Sequence, residues 1–184
     1  MDLKLKTDAV TAISVEHRPP LNIDATPRNF YVIECRDAAG NLRWLEEVEN
    51  LIPDAGANDL LSKYLTGASY TAAWYVGLID NAGFTGLANG DTAASHPGWS
   101  EATYYSNANR PTLTLGAVSA RSVSNSASPA TFNINASGTI NGAFVVSTNT
   151  KNGTTGVLYG EASFGSARSV LSGDTVNVTI TLTA

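Results

Sequence analysis

Residues 112–184 hold 38 Ser, Thr, Asn or Gly among 73 positions and only five charges: Arg121, Lys151, Glu161, Arg168 and Asp174. A polar linker has a similar composition, but a linker has no reason to space its apolar residues regularly. Here the stretch Thr175-Val176-Asn177-Val178-Thr179-Ile180-Thr181-Leu182 alternates without a break. A period of two puts every apolar side chain on one face, which is the pattern of a strand with one buried side. Phe132 and Ile134 repeat it between Thr131, Asn133 and Asn135. Short apolar runs at residues 143–146 and 157–159 are set apart by Ser137-Gly138, Asn152-Gly153 and Ser172-Gly173-Asp174. Gly and Asn tolerate the positive φ of tight turns, so these are hairpin and loop positions. The spacing predicts a mainly β protein, an antiparallel β-sandwich with either jelly-roll or Ig-like connections.

The N-terminal third reads differently. Residues 1–65 carry 7 Lys+Arg and 11 Asp+Glu, whereas the remaining 119 residues carry 4 and 5. The contrast predicts a boundary near Gly67 and three segments: an extended arm over 1–28, a β-hairpin plus short helix over 29–67 packed on the main domain, and a β-sandwich domain over 68–184. Pro19, Pro20 and Pro27 keep the arm out of regular structure, because proline fixes φ and lacks a donor. The apolar runs ending at Cys35 and beginning at Leu42 flank Asp37-Ala38-Ala39-Gly40-Asn41, a hairpin turn. From Asp54 to Leu65 the spacing places Ala57, Leu61 and Leu65 on one helical face, beside Leu60 and Tyr64, with Pro53 and Asp54 as start and Gly67 as stop.

Several functions are excluded or left without a motif. Cys35 is the single cysteine, so there is no intramolecular disulfide, no Cys/His zinc cluster and no haem attachment. A net charge of −5 without a basic run is a poor match for phosphate backbones, so nucleic acid is not an expected partner. The N-terminus lacks the continuous apolar stretch of a signal peptide, and no window is long and apolar enough to span a membrane. Neither a Gly-x-Ser-x-Gly elbow nor a phosphate loop is present.

The unusual residues gather in the middle. Trp74 to Asp80 reads as a buried strand, followed by a long loop over residues 81–99 that ends Ser95-His96-Pro97-Gly98-Trp99. Long ordered loops are usually functional. Asp80, Asp91, His96 and Glu101 invite an acid–base reading, since glycosidases need two opposed carboxylates. Loop-shaping hydrogen bonds are the simpler use of the same residues. Trp74, Tyr75, Trp99, Tyr104 and Tyr105 have the chemistry of a sugar-stacking platform, and equally that of a sandwich core.

A set of residues from Asn50 onward carries a resemblance. It comprises Asn50-Leu51-Ile52 leading to Asp59-Leu60-Leu61, then Trp74-Tyr75-Val76-Gly77-Leu78-Ile79. Its most specific part is Asp91-Thr92-Ala93-Ala94-Ser95-His96-Pro97-Gly98-Trp99-Ser100-Glu101 with the sequel Tyr105-Ser106-Asn107-Ala108-Asn109-Arg110-Pro111. Ala130-Thr131-Phe132, the run Gly138 to Phe144, and Ser172-Gly173-Asp174 complete it. In these the chain resembles short virion structural proteins of tailed bacteriophages and prophages, of the head decoration or cement type.

That resemblance implies a non-enzymatic β-sandwich without cofactor on the capsid exterior, made in the bacterial cytoplasm. Its implied partners are the major capsid protein and further copies of itself, as dimer or trimer. Residues 1–49 lie outside the resemblance, and their charge makes them the expected docking side. On this reading Leu3, Leu5, Arg18, Arg28, Arg43 and Trp44 contact the capsid, and Asp91, His96, Trp99 and Arg110 form an inter-subunit loop. A tail-fibre or adhesin module that binds host saccharide through the aromatic loop is the alternative.

Overall fold

The computed structural model describes residues 28–70 and 73–183. Leu3, Leu5 and Arg18, with nearly all of the expected arm, lie outside the described residues.

The expected hairpin forms from β1 (Arg28–Arg36) and β2 (Leu42–Glu49). Its turn is held by Asp37, whose Oδ1 accepts the N–H groups of Ala39 and Asn41, both at 2.9 Å. Asn29, Tyr31, Ile33 and Cys35 point inward and the residues between them point out, as period-two geometry requires. The C-terminal strand β9 (Thr175–Thr183) buries Val176, Val178 and Ile180, the face that the alternation predicts.

β1 and β9 pair antiparallel along their whole length, from Arg28 opposite Thr183 to Arg36 opposite Thr175. The boundary expected near Gly67 therefore does not set a hairpin unit on top of a separate sandwich. The hairpin is two strands of the first sheet, because the inward faces of β1 and β9 share one core.

On the far side of β9 lie two short strands, β5 (Ser122–Ser124) and β6 (Ala130–Asn133). Asn125 bridges the gap between them: its Oδ1 accepts Ile180 N–H at 2.6 Å and its Nδ2 donates to Val178 O at 3.0 Å. A fully buried amide side chain thus stands in for missing strand backbone, satisfying groups that would otherwise be orphaned.

The second sheet has the order β4-β3-β7-β8, all antiparallel, formed by β3 (Tyr75–Asp80), β4 (Glu101–Ala102), β7 (Gly138–Val146) and β8 (Leu158–Val170). Between the sheets, Tyr31, Ile33, Val178 and Ile180 meet Val76, Leu78, Ile140 and Val145 in the main core. A smaller core lies on the outer face of the second sheet. There Ile79, Phe144, Val146 and Leu158 are covered by Ala93 and Trp99 of the long loop. β7 is buried on both faces, which is why it reads as an apolar run and not as an alternation.

The helix α1 (Asp54–Leu65) starts and stops close to where its signals stand. It packs differently from its pattern. Gly56 is its buried residue and rests on β8: a Cβ there would lie 2.4 Å from the Tyr159 carbonyl oxygen. Leu60, Leu61, Tyr64 and Leu65 face outward.

Close approach also fixes Gly142, where a Cβ would stand 1.9 Å from the carbonyl oxygen of Ala162 on the neighbouring strand. Gly142→Ala is expected to lower stability by about 3 kcal/mol, at the upper end of overpacking costs. Gly165→Ala, whose Cβ meets nothing within 4 Å, is the control and should change it little. Urea denaturation of the two variants checks this.

Candidate functional site

Two surfaces compete as functional sites: the long loop with its charged residues, and the apolar faces left open by the sandwich.

The loop centres on a buried ion pair. Arg110 Nε and Nη2 donate to the two Glu101 oxygens at 3.0 and 2.7 Å, a bidentate geometry with both side chains 3% exposed. The spare guanidinium donors reach Thr148 O at 3.1 Å and Gly153 O at 3.2 Å. Glu101 also accepts Asn152 N–H at 2.6 Å and the Tyr105 hydroxyl at 3.3 Å. Burial, followed by the Glu101 charge, pushes the Tyr105 phenol up and keeps it a donor. The pair ties β4, the segment after it that carries Arg110, and the 148–153 turn into one rigid corner.

Trp99 forms a second node. Its ring stacks on His96 at 3.8 Å and leans on Phe144 at 4.9 Å. Its Nε1–H donates to Asp91 Oδ2 at 3.1 Å, and Ala88 N–H donates to the same oxygen at 3.1 Å. Beneath it lies Glu161, fully buried on β8 and next to Asp91. Burial first, and then the Asp91 charge, pushes the Glu161 carboxyl up to about 8. Near neutral pH Glu161 is therefore protonated, and a neutral acid faces the Asp91 carboxylate.

The sequence-derived site residues separate on this geometry. His96 and Glu101 line one cavity of about 130 Å³ with Arg110, Asn152 and Thr154, and Asp91 does not. Asp80 does not line it either, and Glu101 is tied up by Arg110, so the four acid–base candidates do not converge on one open site. Asp91, Trp99 and Arg110, expected on an inter-subunit surface, are buried and engaged within the chain. Of the four, only His96 is partly open. The aromatic set likewise disperses: Trp74 leans on Tyr159 and Tyr105 on Phe132.

The expected capsid-contact residues fare unevenly. Arg43 closes a salt bridge with buried Asp174. Trp44 sets its edge against Phe164 and donates Nε1–H to Ser169 O at 2.9 Å. The Trp44 contacts and the Arg168–Glu46 pair close β2 onto β8, while Arg43 ties β2 to the turn between β8 and β9, so both residues are engaged within the fold. Arg28 stands at the surface, 3.8 Å from Glu49. Cys35 is buried beside Asp174, and burial above all pushes its thiol up to about 12, which keeps it protonated and inert.

The open apolar residues were missed by sequence reasoning. Phe30 and Leu45, 41% and 44% exposed, lie on the outer face of the first sheet among Glu34, Glu47 and Glu49. Their signal was present in the strand alternation, since residues between the inward positions must point out. Among the described residues, no group of three or more His, Cys, Asp or Glu could hold a metal ion, and no helix is long and apolar enough to cross a membrane.

Fold and site together define a two-sheet antiparallel β-sandwich with one capping helix and a loop locked over one sheet. No family model matches the chain, and no curated protein matches it either.

Proposed function

We propose that the protein is a non-enzymatic structural protein of the tailed-phage virion, which decorates the capsid exterior and stabilises it by bridging major capsid protein subunits. The observation that carries this reading is the unequal finish of the two sheets. The outer face of the second sheet is sealed by the 81–99 loop, whereas that of the first is open and presents Phe30 and Leu45. On that face Phe30 stands opposite Glu49 and Leu45 opposite Glu34, with Val32 and Glu47 between them, so apolar and acidic side chains alternate across one exposed surface, as in the mixed apolar and polar make-up of docking patches.

The resemblance supplies the virion context. Its most specific residues, from Asp91 to Glu101 and on to Arg110 and Pro111, are those that build the rigid corner and the loop seal. Sparse charge in the last 73 residues suits close packing of many copies, because each like charge would otherwise be repeated across neighbours.

Immunogold labelling of virions in negative stain, with the double variant Phe30→Glu/Leu45→Glu as comparison, tests the proposal. Label on heads, lost in the variant while its far-ultraviolet circular dichroism is kept, is expected. Label on tails, or equal head labelling by both proteins, would overturn it.

A further inference from the structure

We propose that Asn89 is a site of spontaneous modification, at which the backbone nitrogen of Gly90 converts the asparagine to isoaspartate and loosens the 81–99 loop from the second sheet. The inference does not rest on the virion reading and is tested on the isolated chain.

Three Asn-Gly pairs occur, at 89–90, 141–142 and 152–153. A glycine leaves its own nitrogen open to the preceding side chain, because it has no Cβ to shield it. The fold separates the three pairs. Asn141 is buried within β7, and Gly142 is paired with Ile79 on one side and Ser163 on the other, so its nitrogen cannot swing onto the asparagine side chain. Asn152 is exposed, but it is held in the left-handed region at φ 54° and donates its N–H to Glu101 at 2.6 Å. The Gly153 N–H is itself bound to Thr150 O at 3.0 Å. Asn89 and Gly90 are both exposed, at the centre of a turn closed by Asp91 N–H on Ala88 O at 2.9 Å. Among the described residues, neither the Asn89 side-chain amide nor the Gly90 N–H has a hydrogen-bond partner.

The chemistry needs water alone. The Gly90 nitrogen attacks Asn89 Cγ, its proton passes to the departing Nδ2 group, and ammonia leaves as a five-membered succinimide closes. Water then opens the ring at either carbonyl, giving aspartate or isoaspartate, and no electron is transferred. In isoaspartate the chain leaves residue 89 through its side chain, one carbon longer, and the carbonyl that accepts Asp54 N–H at 2.9 Å becomes a free carboxylate. The turn is pinned where this happens. Ala88 N–H donates to Asp91 Oδ2, the same oxygen that takes Trp99 Nε1–H. Lengthening the chain between Ala88 and Asp91 displaces the oxygen that anchors Trp99, and Trp99 covers Phe144 and the small core.

Ageing of the full chain in mildly alkaline buffer, with peptide mapping and methyl labelling of isoaspartate, tests the chemistry. Conversion at Asn89 is expected about tenfold faster than at Asn152, the factor set by opening one further hydrogen bond. Gly90→Ala, whose Cβ meets nothing within 4 Å, should fold normally and slow the conversion about tenfold or more by hindering the attack. Hydrogen exchange reads the loop. In aged wild type the amides of Ala88 and Asp91 should exchange about tenfold faster than in fresh protein, and in aged Gly90→Ala they should stay protected. Asn89→Asp, which adds the charge without lengthening the chain, should lose less protection. Isoaspartate mainly at Asn141 or Asn152, equal conversion in Gly90→Ala, or an isoaspartate-containing loop as protected as the fresh one would overturn the proposal.

Discussion

Arg110→Ala should be the most damaging single substitution in the loop corner, lowering unfolding free energy by about 3–5 kcal/mol. Removing one partner of a buried pair leaves an uncompensated charge, and that charge carries most of the cost. Glu101 would be left buried with only Asn152 N–H and the Tyr105 hydroxyl as donors. For a chain of this size the loss corresponds to a fall in Tm of roughly 10 °C. Arg110→Lys should recover only part of it, since an ammonium cannot reproduce the bidentate contact and also reach Thr148 O and Gly153 O. Replacing both partners, Glu101→Gln with Arg110→Met, should cost less than Arg110→Ala alone. Thermal and urea unfolding of the three variants decides it.

Stability should also decline steadily from about pH 4.5 to about pH 8. Glu161 holds its proton in the folded chain up to about pH 8, whereas in the unfolded chain it ionises around 4.5. Between these values the native state binds one more proton than the unfolded state, so raising the pH favours unfolding. The slope is about 1.4 kcal/mol per pH unit. The contribution is whole below the unfolded value, is lost across the window, and levels off once Glu161 ionises against Asp91. Glu34 and Asp37 have the opposite sign and a different window. Hydrogen bonds from Arg36 hold Glu34 below the ordinary carboxylate range, and the Asn41 side chain does the same for Asp37. Both act only at more acidic pH. Glu161→Gln keeps the shape and removes the titration, so its melting temperature should be nearly flat from pH 5 to 8. A wild-type profile as flat as that of the variant would show that Glu161 is ionised when folded.

The fold was legible wherever one face of an element meets water and the other the core. β9 and the hairpin show this most clearly, since Val176, Val178 and Ile180, like Tyr31, Ile33 and Cys35, alternate with polar or outward residues. β7 hid its period because the 81–99 loop buries its second face. The role of Asn125 was not legible at all, as one asparagine in a Ser/Asn-rich run carries no sign that it will complete two strand hydrogen bonds.

The candidate site was legible in its composition and misleading in its use. Asp91, Trp99 and Arg110 stood out as an unusual cluster, but a sequence cannot say whether such residues bond to each other or to a partner. In α1, the stripe Ala57, Leu61 and Leu65 looked like a core-facing side. Packing through Gly56, which has no side chain to count in a periodicity, turned that stripe outward. Glu161 gave no signal, because the neighbours that set its charge state, Asp91 and Trp99, come from a loop some sixty to seventy residues earlier in the chain.

The central claim is that this sandwich strengthens a capsid from outside through the open face of its first sheet. Its most direct test compares heads made without the protein, with and without purified protein added back, under heat and chelator challenge. The account predicts that bare heads release DNA at lower temperature, that the wild-type protein restores resistance, and that Phe30→Glu/Leu45→Glu does not. Bare heads as resistant as complete ones would contradict it.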